Sequence, residues 1–212
     1  GKEPVFNKLL KFFPNFILRF IVNSIFGLAV DENGKFKFNE SSAAKYNLSD
    51  MAKDAISLLD YLKVDKAHII GASMGGMITQ IIALDYPERV LSITPIMTTP
   101  GIQNENLSGP TIELLEAMKK SFIFNLKGRV EDGVVEIYRQ LTGSRFPFDE
   151  VQFREKLQPV IAHGNNPFSL HGSAVGASPD RSSRLNEISA PTLVIHGTED
   201  AILPLDHGLA LA

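Results

Sequence analysis

The residues best placed by type and spacing to do chemistry are Gly71, Ala72, Ser73, Met74 and Gly75, which follow the pattern Gly-x-Ser-x-Gly. A serine hydroxyl becomes a useful nucleophile when a base takes its proton and donors receive the oxyanion that its attack creates. Such a serine must sit at a sharp turn from strand to helix. The preceding run "KAHIIG" is apolar and too short for a helix, whereas "MGGMITQIIALDYPERV" after it has helical spacing up to about Pro87. At that corner the serine backbone is strained, and side chains on either flank would collide with their surroundings. Gly71 and Gly75 are expected to remove those collisions, and Gly76 to let the helix pack closely on the strand. The Ser73 hydroxyl then projects from the end of the sheet, and the Met74 N–H at the helix N-terminus supplies half of an oxyanion hole. A phosphate-binding glycine loop also joins strand to helix, but "GASMGG" has neither Gly-x-Gly-x-x-Gly spacing nor a Gly-Lys-Ser/Thr ending. Ser73 is the candidate nucleophile.

The elements that must hold this corner can be read around it. "NLSDMAKDAISLLDYLKV" places Leu48, Met51, Ala52, Ala55, Ile56, Leu59 and Leu62 at helical spacing, with Ser49 as the expected N-cap and Asp50 in the first turn. "KAHIIG", Val90 to Met97 and Thr192 to His196 read as three buried strands. Residues near 111–126, 130–142 and 149–162 read as helices separated by Gly128, Gly143 and the "FPFDE" turn. Strand, helix, strand, helices, strand is the order of a parallel α/β sheet. The detour between the second and third strands is too long for one crossover and is expected to be an inserted helical cap. The expected division is an apolar helical segment at 1–46, a core at 47–100 and 186–212, and a cap at 101–185.

"YNLSDMAKDAISLLDYLKVDKAHIIGASMGGMITQIIALDYPERV" resembles the central segment of α/β-hydrolase fold proteins, in particular esterases related to the aclacinomycin methylesterases. "APTLVIHGTEDAILPLDHGLALA" is similar to the same family's last strand and acid-bearing loop. The resemblance covers most of the chain from Asn47 onward. It implies an α/β-hydrolase-like parallel sheet, incomplete in this chain, with an inserted helical cap. It also implies ester or related acyl hydrolysis by a Ser–acid–His triad, with no cofactor.

Carried onto this sequence, the acid is Asp200, just past the strand, with Glu199 as its local competitor. The expected chain order is Ser, acid, His. Only His207 follows Asp200, and it comes too soon, so it is expected to be a surface helix residue. His68 and His196 are expected to be core residues within strands, while His163 and His171 fall in the cap. No two histidines have metal-ligand spacing with supporting carboxylates, so no metal site is expected. The triad histidine is expected to lie outside this sequence. The family's strand with a His-Gly loop, which brings a second oxyanion N–H, is not apparent in residues 1–46. The chain therefore reads as an internal piece of a longer hydrolase.

Composition narrows the classes that remain. The 212 residues suffice for one sizeable domain, and 44% apolar with 21% charged residues is ordinary globular composition. A net charge of −3 without a basic run gives no nucleic-acid surface. With no cysteine there are no disulfides and no thiolate metal sites. In "VFNKLLKFFPNFILRFIVNSIFGLAV" the longest uncharged run, Phe20 to Val30, has 11 residues, too few for a bilayer span. Lys8, Lys11 and Arg19 interrupt it, which fits a signal peptide poorly. It reads as short amphipathic helices broken at Pro14, with membrane association not expected and the cytoplasm as default compartment. The expected substrate is a small ester, hydrophobic if Phe122, Phe124, Phe146 and Phe148 line the cap. Two other functions fit the same residues: a non-catalytic member of the fold that binds a ligand or protein, and a cofactor-free haloperoxidase.

Overall fold

The computed structural model describes residues 28–30, 36–38, 46–163, 172 and 174–212. In chain order, β1 (Leu28–Val30) and β2 (Phe36–Phe38) form an antiparallel pair with Leu28 opposite Phe38. Where the 1–46 segment is described it is therefore strand, not helix. The expected helices around Pro14 lie outside the described residues.

Helix α1 (Leu48–Tyr61) leads into β3 (Ala67–Ala72), α2 (Met74–Asp85) and β4 (Val90–Ile96). The N-cap of α1 is Asn47, not Ser49. Its side-chain oxygen accepts from the N–H groups of Ser49 and Asp50, and Asp50 reaches back to the Asn47 N–H. This reciprocal box satisfies two helix-end donors, and it begins two residues before the serine that pattern alone singles out.

Strands β3 and β4 pair in parallel, Ile69 opposite Ile93 and Ala72 opposite Ile96. A third extended segment joins the other edge of β4 in parallel through bridges Ile93–Thr192 and Ile96–Ile195. Its ladder is carried by Leu193 N–H to Ile93 O and Met97 N–H to Ile195 O, at 3.0 and 2.8 Å. Two of the three expected strands thus pair in parallel, and the third is present as an extended segment bridged to β4.

The core lies between this sheet and two helices. Leu48, Ala52 and Ile56 of α1 and Met77, Ile81, Ile82 and Ala83 of α2 close over Val90 and Ile93 of β4. Each large aliphatic side chain fully buried there contributes about 1.5–3 kcal/mol. The strands are not buried on both faces as expected: His68, Ile70 and Ala72 of β3 are exposed, as are Leu193 and Ile195. The physical reason is that His68, Ile70 and Ala72 alternate along one face of β3, opposite Ile69, which packs against the core, and among the described residues nothing covers that face.

The insertion is helical, as its periodicity predicts: α3 (Ile112–Leu126), α4 (Val130–Leu141) and α5 (Glu150–Ala162). Gly128 and Gly143 adopt the left-handed conformation at the breaks, both with φ +71°. Arg154 of α5 binds Glu131 and Asp132 of α4 and Glu150 of its own helix, which ties α4 to α5. The chain ends in the short helix α6 (Leu205–Leu209).

Candidate active site

Ser73 occupies the single residue between β3 and α2, with φ 53° and ψ −118°. A non-glycine residue there is in a sparsely populated region and carries strain that its surroundings must impose. Those surroundings are visible. The Ser73 N–H donates to Ile96 O at 2.9 Å, and its carbonyl accepts from the N–H groups of Gly76 and Met77. The Thr98 hydroxyl donates to the same carbonyl at 2.7 Å. Thr98 is buried and was not singled out by the sequence; its signal is a polar residue straight after an apolar strand.

A Cβ on Gly71 would stand 2.2 Å from Gly75 O, and one on Gly76 would stand 2.6 Å from Thr98 Cβ. The collision expected at Gly71 is present, and Gly76, expected to let the helix pack closely, faces Thr98. At Gly75, in contrast, a Cβ would meet no described atom within 4 Å, so relief of a clash does not explain that glycine. The Ser73 side chain is exposed, and among the described residues its hydroxyl has no hydrogen-bond partner. The N–H groups of Met74 and Gly75 likewise have no acceptor among the described residues. A hydroxyl beside unpaired N–H groups at a helix N-terminus is an arrangement that could receive a developing anion.

Behind the corner lies a polar brace. Gln80 of α2, 1% exposed, donates through Nε2 to Gly76 O and to Thr99 O at 3.0 and 3.1 Å. Arg181 Nε approaches Gln80 Oε1 at 3.4 Å, while its other nitrogens donate to Pro179 O and Thr99 O. Burial pushes this guanidinium down to about 10, with Asp180 opposing the shift. A polar Gln80 beside Ile81 and Ile82 is the sequence signal for this brace.

Asp200 lies five residues beyond Ile195, whose carbonyl pairs with Met97 just after β4, so it shares the sheet end that carries Ser73. Two strand spacings of about 4.8 Å separate the Ser73 and Ile195 positions across that end. Asp200 Oδ1 accepts from the N–H groups of Ile202 and Leu203, both at 2.9 Å. Its Oδ2 faces His196 Nε2 at 3.7 Å. Glu199 is committed elsewhere: Oε2 accepts the Ser144 N–H and Oε1 the Ser144 hydroxyl, both at 2.6 Å. The Ser144 hydroxyl, then its N–H, hold the Glu199 carboxyl below the usual range.

The histidines are placed differently from expectation in two cases. His68 is exposed and pairs through Nδ1 with Ser92 Oγ at 2.7 Å, because β3 has an open face rather than a covered one. His207 is buried at 3% exposure, not a surface residue. Its nitrogens meet Thr99 Oγ1 and Ser108 O, both at 2.8 Å, which draws α6 onto the loop that leaves β4. His196 is a core residue as expected, donating Nε2–H to Leu203 O at 2.7 Å, while its buried Nδ1 has no partner. His163 is exposed at the end of α5, and His171 lies outside the described residues. Among the described residues no histidine hydrogen-bonds to Ser73.

Of the four cap phenylalanines, Phe122 is buried, Phe124 lies under Arg129, and Phe148 packs on Phe153. Phe146 is the most exposed of the four at 65%, with the Arg145 guanidinium over its ring at 5.5 Å. A cavity of about 250 Å³ is lined by Gln80, Ile93, Pro95, Leu185, Ile188 and Thr192 among others, and by none of Ser73, Met74 and Asp200. Among the described residues no cluster of metal-ligating side chains occurs, and no helix is long and apolar enough to cross a membrane.

Comparison with known proteins agrees with the fold. The family described as the alpha/beta hydrolase fold matches residues 36–212. A 2-hydroxy-6-oxo-6-phenylhexa-2,4-dienoate hydrolase from Burkholderia cepacia is 35% identical over 169 residues, covering 76% of this chain and 55% of the relative. A rhodomycin D methylesterase from Streptomyces sp. (strain C5) is 28% identical over 181 residues, covering 76% and 60%. A thermophilic esterase from Thermogutta terrifontis superposes with a TM-score of 0.56 at 21% identity, covering 87% of this chain and 65% of that one. The chain spans a little over half the length of the curated relatives it matches.

Proposed function

The chain belongs to the α/β-hydrolase fold family, and from that premise we propose that it carries the nucleophile and acid of a serine hydrolase that cleaves carboxylic esters of small molecules. The observation that carries this is Ser73, held exposed at φ 53° with the N–H groups of Met74 and Gly75 free beside it. In the proposed reaction Ser73 Oγ attacks the ester carbonyl and gives its proton to a histidine. The carbonyl oxygen becomes an oxyanion held by the Met74 N–H, with a second N–H from outside the described residues. Collapse expels the alcohol, which takes the proton from the histidine, and leaves Ser73 acylated. Water then repeats the sequence and releases the acid. Asp200 Oδ2 orients the histidine and stabilises it when charged, its other oxygen being fixed by two loop N–H groups. The histidine comes from outside the described residues, and the reaction uses no cofactor.

The substrate is proposed to be apolar near the cap, where Phe146 is exposed beside Arg145. The relatives' names include both a methylesterase and a dienoate hydrolase. The test is labelling of the full-length protein with a fluorophosphonate, followed by peptide mass spectrometry. Label on Ser73, lost in Ser73→Ala, supports the proposal. An unlabelled Ser73 in folded protein overturns it in favour of a non-catalytic binding member of the fold.

A further inference from the structure

We propose that Glu199 is a positioning residue that latches the helical cap to the loop bearing Asp200 and so sets how closely the cap closes over Ser73. The inference rests on the serine-hydrolase proposal above. Glu199 directly precedes Asp200, yet the two carboxylates face different partners. Asp200 turns Oδ1 into its own loop and Oδ2 toward His196, whereas Glu199 gives both oxygens to Ser144 at 2.6 Å. Ser144 lies in the turn between α4 and α5, so this contact crosses from core to cap.

The turn is shaped for it. Gly143 takes the left-handed conformation, and a Cβ there would stand 2.9 Å from Glu199 Oε2. Two features at Gly143 therefore serve one contact: a backbone conformation that glycine tolerates and an approach that a side chain would obstruct. Among the described residues, the other hydrogen bonds of residues 127–163 stay within the cap. Arg154 makes α4 and α5 one body, so a hold at their turn acts on both helices. Phe146 follows two residues after Ser144, so the latch also restrains the turn that carries this exposed side chain.

The experiment compares Glu199→Ala, Ser144→Ala and Glu199→Gln in the full-length protein. A glutamine can keep the geometry, its oxygen accepting the Ser144 N–H and its NH2 donating to Ser144 Oγ, while it removes the charge. Amide exchange across residues 141–150 is expected to rise roughly three- to tenfold in both alanine variants and to stay near the parent in Glu199→Gln. KM for a long-chain p-nitrophenyl ester is expected to rise in the alanine variants, with kcat for the acetate ester little changed. Unaltered exchange in Glu199→Ala overturns the latch. Equal loss of turnover in Glu199→Gln and Glu199→Ala also overturns it, because that pattern demands a carboxylate and would make Glu199 the triad acid. Should the parent protein resist fluorophosphonate, the hydrolase proposal falls, while the exchange measurement still decides the latch.

Discussion

At the scale of single residues, strain and chemistry meet at Ser73. Its φ of 53° is held by bonds to Ile96, Gly76, Met77 and Thr98. Because glycine adopts such a conformation freely, Ser73→Gly should stabilise the fold by about 1 kcal/mol while abolishing fluorophosphonate labelling. Calorimetry reads the first effect, and a lower Tm would show that the corner is not strained. Gly71→Ala should act in the opposite direction, since its methyl group would have to share space with Gly75 O. A loss of at least roughly 1–3 kcal/mol is expected, with less label at Ser73 because the corner itself must shift. Asp200→Asn retains an oxygen for the N–H groups of Ile202 and Leu203, so folding should persist. Without the charge, turnover should fall by on the order of 10⁴-fold, the size seen when a triad acid becomes an amide. Unchanged turnover would remove Asp200 from the site.

At the scale of elements, the sequence exposes what is periodic and hides what is made by contact. The ends of α3, α4 and α5 fall within a residue or so of the spacing-based expectation, because glycine breaks and apolar repeats are local facts. The strand-to-helix corner is legible for the same reason: the pattern at Ser73 and the flanking periods are all adjacent in sequence. The N-cap of α1 is less so. Ser49 and Asn47 both have capping side chains, and the choice is decided by Asp50, which can close a reciprocal box only with Asn47. Asn47→Ala should therefore cost about 1 kcal/mol, and Ser49→Ala next to nothing. Equal losses in urea unfolding of the two variants would contradict that assignment. The histidines were legible least of all. His207 is buried because Thr99 and Ser108, about a hundred positions earlier in the chain, close on it, and no local pattern carries that information. The Glu199–Ser144 contact also joins residues far apart in sequence, 55 positions, which is why Glu199 reads only as a neighbour of Asp200 until the turn between α4 and α5 is seen against it.

At the scale of the whole molecule, the parallel sheet and the inserted cap follow from the order of elements, whereas the open face of β3 follows from what packs against each side of it. The distribution of charge adds a consequence that neither the sheet nor the corner contains. Glu131 and Glu150 are held below the usual carboxylate range chiefly by Arg154, and Asp132 by Arg129 and then Arg154. Glu199 is held low by Ser144. All four groups take up protons more readily in the unfolded chain than in the folded one. Their contribution is thus complete above the ordinary carboxylate range and disappears as pH falls through their lowered folded values. Three of the four lie in α4 and α5, and the fourth is the cap's hold on the core. Outside the cap Asp206 of α6 is also lowered, the raising effect of its burial being outweighed by Ser108. The core between α1, α2 and β4 rests instead on Leu48, Ile56, Ile81, Ile82 and Ile93, whose burial does not titrate. Acid should accordingly release the cap before the core. Amide exchange at stepwise lower pH, corrected for the intrinsic rate, should show protection lost first in α4 and α5 and only later in α2 and β4. These ion pairs are exposed, so added salt should blunt their share of the acid loss, since screening weakens them already at neutral pH. Loss of protection in all elements at one pH would mean that cap and core unfold as a unit, and that the carboxylates around Arg154 stabilise the whole molecule rather than the cap alone.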